Sequence, residues 1–303
     1  MYHGFPTDML SLLRCPVDAG ALRVMEESAH QQYLLQAELA CQDCQARYPV
    51  ENGIVRLFDA ATLDSTSQHE HPQRDHGAAK DNFKWESSAM SRMEIIPMLK
   101  SMTPLSGATV LELGCGKGRF TTLMAQNRAT IIALDFSLAV LQRLATRIQP
   151  HWRIGLVQAD CTKPVAAPRR FDRVLSTLVS NLPTAQHRRA MFQVVAQALK
   201  HDGKFIFGAH HHGLRERLRK VPQAGQYADS GIFRYLFRRR EIVAECAPRF
   251  GRVRCRPIQV LLPMTNRLGI DSVTLSRLAE RVPLVNQCGE LLMDIAEKPR
   301  ADV

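Results

Sequence analysis

Glu112-Leu-Gly114-Cys115-Gly116-Lys-Gly118 is the stretch with the clearest chemical content. Glycines at alternate positions let a chain turn sharply after an apolar run and let a ligand approach the backbone. A dinucleotide fingerprint would be Gly-x-Gly-x-x-Gly. Here position 119 is Arg, so the spacing is Gly-x-Gly-x-Gly, with an acid two residues ahead of the first glycine. A buried Glu112 could accept hydrogen bonds from an ammonium group or from the loop amides. Two more acids follow. Asp135 ends the run Ile131-Ile-Ala-Leu-Asp135-Phe136-Ser137 and can grip both hydroxyls of a ribose, as acids in nucleotide-binding sheets do. Asp160 ends Leu156-Val-Gln-Ala-Asp160-Cys161, placed to accept from an exocyclic amine while the Cys161 amide donates to the ring. Any one of these also suits an ordinary turn or helix cap. All of them in order, each after an apolar run, point to a ligand that carries a nucleoside.

Two other clusters carry chemistry. His210-His211-His212 follows an apolar run, and His211 or His212 there could take a proton from a hydroxyl or amine, since imidazole titrates near neutrality. A surface loop or a capping role is the plain alternative. Cys15-Pro-Val-Asp18 and Cys41-Gln-Asp-Cys44 are two short knuckles. Tetrahedral zinc takes four ligands from two such turns. Here Cys15, Cys41 and Cys44 are joined by Asp18 where a fourth cysteine would stand. The alternative is a metal-free fold packed through Leu22, Tyr33, Leu35 and Leu57. Phe83-Lys-Trp85 is a third candidate, able to close over a ligand or to anchor the chain before it.

Alternating elements must hold these groups. Three-to-four spacing of Met93, Ile96, Leu99 and Lys100 predicts a helix over 90–102. Short apolar runs predict strands at 109–113, 130–134, 154–158, 171–176 and 204–208, with helices at 120–126, 138–148 and 185–199 between them. The last of these helices ends in the turn His201-Asp-Gly203. A helix at 241–246 and strands at 253–262 and 290–297 close the pattern. Strand–helix alternation implies a parallel α/β sheet, whose ligands bind outside the carboxyl ends of the strands. Segments 209–240 and 263–288 fall outside that frame and suit a cap over a substrate pocket, the second carrying an amphipathic helix from Val273. Residues 1–58 read as a compact unit and 59–82 as a polar linker, leaving 83–303 for the sheet.

On the strength of 110–118 followed by Asp135 and Asp160, residues from about 83 to 300 resemble class I S-adenosylmethionine-dependent methyltransferases. Phe171-Asp-Arg-Val-Leu-Ser-Thr-Leu-Val-Ser-Asn-Leu-Pro183 is similar to the fourth-strand segment of the ubiquinone-biosynthesis-like branch. The resemblance implies a Rossmann-like seven-stranded sheet with its last strand antiparallel, S-adenosyl-L-methionine as cofactor, and Ser176, Thr177 and Leu178 lining its methionine end. The segment around Cys15 and Leu39-Ala-Cys-Gln-Asp-Cys-Gln-Ala-Arg-Tyr-Pro-Val-Glu-Asn-Gly-Ile-Val resembles the zinc-ribbon-like activator subunits of tRNA methyltransferases. That likeness implies a small N-terminal zinc-ribbon-like domain with structural zinc.

Bulk properties narrow the function. The chain has 303 residues, 45% apolar and 23% charged, as a globular protein does. No apolar run reaches the roughly 18–20 residues of a membrane span, and the N-terminus lacks a signal-peptide pattern, so a cytoplasmic location is expected. Net charge is +11, and residues 213–256 hold twelve Lys/Arg against four acids. The leading expectation is methylation of O, N or C on a small-molecule acceptor. An RNA methyltransferase is the runner-up, favoured by the basic segment and the N-terminal knuckles, although residues 1–58 are slightly acidic. A non-catalytic S-adenosylmethionine-binding protein is the third reading; the intact set of acids and glycines argues against it.

Overall fold

The apolar runs from residue 109 onward form strands buried on both faces, as parallel strands flanked by helices must be. A computed structural model describes residues 2–25, 32–58, 68, 88–179, 182, 184–227, 232–261 and 271–300. Its strands are β1 (Phe5–Pro6), β2 (Leu22–Val24), β3 (Tyr33–Leu34), β4 (Gln36–Cys41), β5 (Arg47–Glu51), β6 (Ile54–Leu57), β7 (Thr109–Leu113), β8 (Thr130–Asp135), β9 (Ile154–Ala159), β10 (Phe171–Thr177), β11 (Leu199–His210), β12 (Ala224–Gln226), β13 (Phe233–Tyr235), β14 (Phe250–Val260) and β15 (Gly289–Pro299). Its α-helices are α1 (Ala89–Met102), α2 (Arg119–Gln126), α3 (Leu138–Ala145), α4 (Ala185–Ala198), α5 (Leu214–Leu218), α6 (Arg239–Cys246) and α7 (Ser272–Ala279). Side-chain caps start several of them: Ser88, Ser137, Thr184 and Asp271 each accept from an amide in the first turn.

The main sheet runs β14-β15-β11-β10-β7-β8-β9-β6-β5-β4-β2. Strands β11 through β6 in that order are mutually parallel, and β15 is antiparallel to both of its neighbours. This corrects the seven-stranded expectation. Seven strands come from residues 109–299, but the sheet continues across β9 because β6 pairs with it in parallel, Ile54 opposite Leu156 and Leu57 opposite Ala159. Three antiparallel strands from the N-terminal segment then extend the sheet to eleven.

Strands β2, β4, β5 and β6 of the N-terminal segment are therefore continuous with the main sheet. The connection from β9 to β10, residues 160–170, contains no helix. Phe5, Met9, Leu10, Leu12 and Leu13 occupy that side of the sheet instead, in one buried cluster with Leu111, Ile132, Val157 and Val174. Phe5 sits so close to Gly155 that a side chain there would meet its ring at 2.5 Å. Backbone bonds from Arg14 to Val165 (2.9 Å) and from Ala167 to Leu12 (2.8 Å) sew the two segments together. The opposite face is covered by α1, α2 and α3 over Val110, Ile131, Leu156 and Ile206.

Smaller differences have local causes. The helix expected over 138–148 stops at Ala145, and His201-Asp-Gly203 lies inside β11, whose pairing with β10 shifts register between Phe171 and Arg173. In the alternative core of residues 1–58, Leu22 and Leu57 are buried but Leu35 is 50% exposed. The linker at 59–82 lies outside the described residues except for Gln68.

Candidate active site

β7 ends by delivering Glu112 into the interior, opposite Ala133 of β8 and Leu175 of β10. Its carboxyl accepts from the Thr121 hydroxyl at 2.5 Å. Burial pushes its pKa up to about 8, against the lowering pull of Thr121 and of the Arg119 charge. Arg119 in turn donates to Glu94 of α1 at 2.5 Å. The glycine loop follows. A side chain at Gly118 would meet Leu144 at 2.2 Å, whereas one at Gly116 would meet nothing within 4 Å. Packing thus pins the far end of the loop and leaves its middle open to a ligand.

Asp135 ties this loop to β8. One oxygen accepts from the Gly116 amide (2.9 Å) and the other from the Ser137 amide (3.0 Å). A carboxylate has about four acceptor positions, so hydroxyl donors can be added to this arrangement. The Cys115 amide donates to Leu134 (2.9 Å), and the Cys115 thiol is buried, with its pKa raised by that burial. Ser137 caps α3 with its hydroxyl. Phe136 faces Phe58 with ring centroids 6.4 Å apart. Its carbonyl accepts from Gln158 (3.0 Å), which itself accepts from Arg56 Nε (3.0 Å). Asp160 Oδ1 accepts from the amide and the hydroxyl of Thr162, both at 2.8 Å. The Cys161 thiol is buried near Asp160 and Asp135, and burial raises its pKa. Ser176 is buried with its hydroxyl unpartnered, and Thr177 lies opposite Gly208.

The expected loop and strand-end acids thus converge at the carboxyl ends of β7, β8 and β9. Sequence reasoning missed Arg56, Phe58 and Gln158. They enter through the β6–β9 pairing, which no local pattern announces.

The three histidines part company. His211 Nδ1 is 2.8 Å from the Gly289 carbonyl, and His212 Nε2 is 2.8 Å from the Val221 carbonyl. Both rings are buried, and His212 Nδ1 has no partner. Burial holds the His211 pKa below its usual value. His210 points elsewhere, its Nε2 hydrogen-bonded to the Tyr227 hydroxyl. Phe83, Lys84, Trp85, Asn181, Pro183 and residues 263–270 lie outside the described residues.

At the N-terminal knuckles, Cys15, Asp18, Cys41 and Cys44 place one ligand atom each within 4.8 Å of all the others. Cys15 Sγ is 3.6 Å from Cys44 Sγ, and Cys41 Sγ is 3.4 Å from Asp18 Oδ1. Amides of Gly20 (to Asp18, 2.9 Å) and Asp43 (to Cys41, 3.4 Å) donate to the ligand atoms, as outer partners of a metal site do.

Residues 110–203 match the family model described as a methyltransferase domain. The chain is 36% identical over 80 residues to phosphoethanolamine N-methyltransferase 3 of Arabidopsis thaliana, 26% of this chain and 16% of that protein. It is 30% identical over 123 residues to phosphoethanolamine N-methyltransferase 1 of the same plant, 40% of this chain and 21% of that one. The chain therefore spans about a fifth or less of the curated relatives it matches. Haemonchus contortus phosphoethanolamine N-methyltransferase 2, solved with S-adenosyl-L-methionine, superposes with a TM-score of 0.52 at 18% identity, over 84% of this chain and 62% of that one. At that identity the likeness establishes the Rossmann-like fold.

Proposed function

We propose that the chain is a class I S-adenosylmethionine-dependent methyltransferase that methylates a small-molecule acceptor, most simply at an amine nitrogen; the match of residues 110–203 to a methyltransferase domain supports this. The amine is supported by the N-methyltransferase names of the matched relatives. The observation that carries the reading is the Gly116–Asp135–Ser137 tie, with the open face at Gly116 beside it. The donors and acceptors present fit the cofactor: Asp135 for the ribose hydroxyls, Asp160 and the Cys161 amide for the adenine, Glu112 and the loop of Gly114, Cys115, Gly116 and Gly118 for the methionine end, with Phe136, Ser137, Ser176 and Thr177 around them. When bound, S-adenosylmethionine supplies a methyl group on sulfonium, an activated carbon electrophile. This chain's residues orient the acceptor and exclude water, and such positioning supplies much of the rate in a displacement of this kind. His211 and His212 are the proposed bases. His211 Nδ1 and His212 Nε2 are turned to the carbonyls of Gly289 and Val221, so the second nitrogen of each ring is the one proposed to accept the proton.

Calorimetry with S-adenosylhomocysteine, together with transfer of labelled methyl to phosphoethanolamine and a panel of amines, tests this reading. If the product cofactor does not bind, the reading fails. The buried Glu112 adds a pH signature. Its pKa of about 8 means it is mostly protonated at neutrality. Pairing with the cofactor's ammonium requires that proton to leave. Affinity is expected to rise up to about tenfold per pH unit between pH 6 and 8 and then level off. Glu112→Gln is expected to bind more weakly with a flat profile. A sloped profile in that variant assigns the titration to another group.

We also propose structural zinc at Cys15, Asp18, Cys41 and Cys44, within a zinc-ribbon-like module spanning 1–58 and joined by 59–82 to 83–303. The four converging ligand atoms support it. Purified protein is expected to hold about one zinc per chain by elemental analysis, and Cys41→Ser to lose most of it. Metal-free wild-type protein would leave the packing of the knuckles as their whole purpose. A cytoplasmic site of action is supported by eight cysteines with no disulfide among them; no helix among the described residues is long and apolar enough to cross a membrane. Placement in the ubiquinone-biosynthesis-like branch is supported by the Phe171–Pro183 segment alone. The RNA reading is not supported by the matched relatives, whose names carry a small-molecule substrate.

A further inference from the structure

Large apolar side chains left in water are concentrated at one end of the molecule. Among the described residues eight are exposed, and six of these are Met90, Leu218, Leu261, Leu278, Val282 and Leu284. They lie on segments that touch one another: α1 and α7 each pack on β14, β14 packs on residues 285–288, and those residues pack on α5. Hydrogen bonds hold the group together. Gln259 of β14 donates through its side-chain amide to the Met90 carbonyl (2.8 Å) and through its backbone to Glu280 (2.9 Å). Val260 lies opposite Gly289 of β15, and Leu291 lies opposite His210 at the carboxyl end of β11. The exposed apolar group therefore borders the end of the sheet that carries the glycine loop.

Leu218 and Leu284 are each 75% exposed. Leu284 also holds φ at 73°, a region that favours glycine, and a side chain so exposed has no core packing to offset that strain. Cations frame the leucines. Arg217, Arg219 and Lys220 adjoin Leu218, and Arg277 and Arg281 adjoin Leu278 and Val282; all five are exposed. The neighbouring acids are turned to the protein itself. Glu216 accepts from the Gly213 amide, Asp271 from the amides of Val273 and Thr274, Glu280 from the Gln259 amide, and Glu290 from Arg215. The surface thus offers water a set of aliphatic side chains ringed by positive charge. An apolar group rimmed by polar residues marks a place where something else binds.

We infer that this surface docks the end of the sheet that carries the glycine loop on a membrane leaflet containing anionic lipid. The leucines enter the boundary between headgroups and acyl chains, while the arginines and the lysine stay among the phosphates. Positive charge selects the anionic leaflet. The leucines favour lipid over RNA, because cations alone meet the phosphates of a nucleic acid and aliphatic side chains add little there. The inference stands on this surface and is independent of the cofactor site.

Sedimentation of the full chain with lipid vesicles tests it. Vesicles of phosphatidylcholine with about 30% phosphatidylglycerol are expected to bind at least about tenfold more tightly than pure phosphatidylcholine in about 0.1 M salt, with the advantage shrinking in about 0.5 M salt. Leu218→Ser with Leu284→Ser is expected to weaken binding to anionic vesicles at least about tenfold, with thermal unfolding unchanged because both side chains are largely in water. Arg219→Gln, Lys220→Gln and Arg281→Gln together are expected to do at least as much. Leu35→Ser, exposed near the other edge of the sheet, is expected to bind like wild type. Equal binding to both vesicle types, binding to neither, or a leucine variant that binds like wild type overturns the inference. Bulk tRNA bound equally by wild type and the leucine variant, without vesicle binding, gives the surface to RNA. A dimer that the leucine variant abolishes, again without vesicle binding, gives it to a second copy of the chain.

Discussion

Asp135→Asn is expected to lower the affinity for S-adenosylhomocysteine by at least about 100-fold, read by calorimetry on protein whose circular dichroism is unchanged. Two effects add. The ionised carboxylate is the proposed acceptor for both ribose hydroxyls, and hydrogen bonds to a charged acceptor are worth about 1.5–3 kcal/mol each. The same carboxylate takes the amides of Gly116 and Ser137, one on each oxygen. An asparagine has one oxygen, so its NH2 must face one of those amides, donor against donor, and the loop loses one of its two ties. Asp135→Ala is expected to do at least as much. An Asp135→Asn protein that folds and binds like wild type would remove the cofactor site from this end of the sheet.

Deleting residues 2–58 is the second large perturbation. A detachable module would leave a folded methyltransferase domain behind. Here the deletion strips Phe5, Met9, Leu10, Leu12 and Leu13 from the shared core and leaves β9 as an apolar edge strand. Edges of that kind pair with other chains. The truncated protein is expected to be aggregated, without cooperative unfolding and without S-adenosylhomocysteine binding. The milder Phe5→Ala is expected to cost about 3–5 kcal/mol in urea unfolding, because a fully buried ring is lost beside Gly155 and Ile132. A truncated chain that unfolds cooperatively and binds the cofactor product would make the N-terminal segment an appended unit after all.

The part of the fold that is legible in the sequence is the part governed by local periodicity. Thr109–Leu113 is found residue for residue, and the other strands of the parallel core lie within a few residues of their expected ends. Such strands are short, apolar and punctuated by glycine or acid, so composition alone marks them. The acids at their ends are legible for the same reason: topology sends every parallel strand's carboxyl end to one side. What escaped is non-local. Ile54-Val-Arg-Leu57 looks like any short strand, and nothing within it says that it pairs with residues about a hundred positions later. The histidine run shows a second limit. Composition offers three equivalent rings; only the length of β11 and the carbonyls of Gly289 and Val221 decide that His211 and His212 turn to the backbone while His210 meets Tyr227.

Ile54 emerges from the ribosome 102 residues before Leu156, the residue it will lie beside. At about 5–20 residues per second, that is roughly 5–20 s in which the edge of β6 away from β5, and the apolar face of Phe5, Met9 and Leu13, have no β9 to join. The knuckles carrying Cys15, Asp18, Cys41 and Cys44 are complete by then, so a metal captured early would hold the first segment in shape while it waits. Refolding of full-length protein is accordingly expected to be slower and more concentration-dependent after chelation, with aggregation starting from the N-terminal strands.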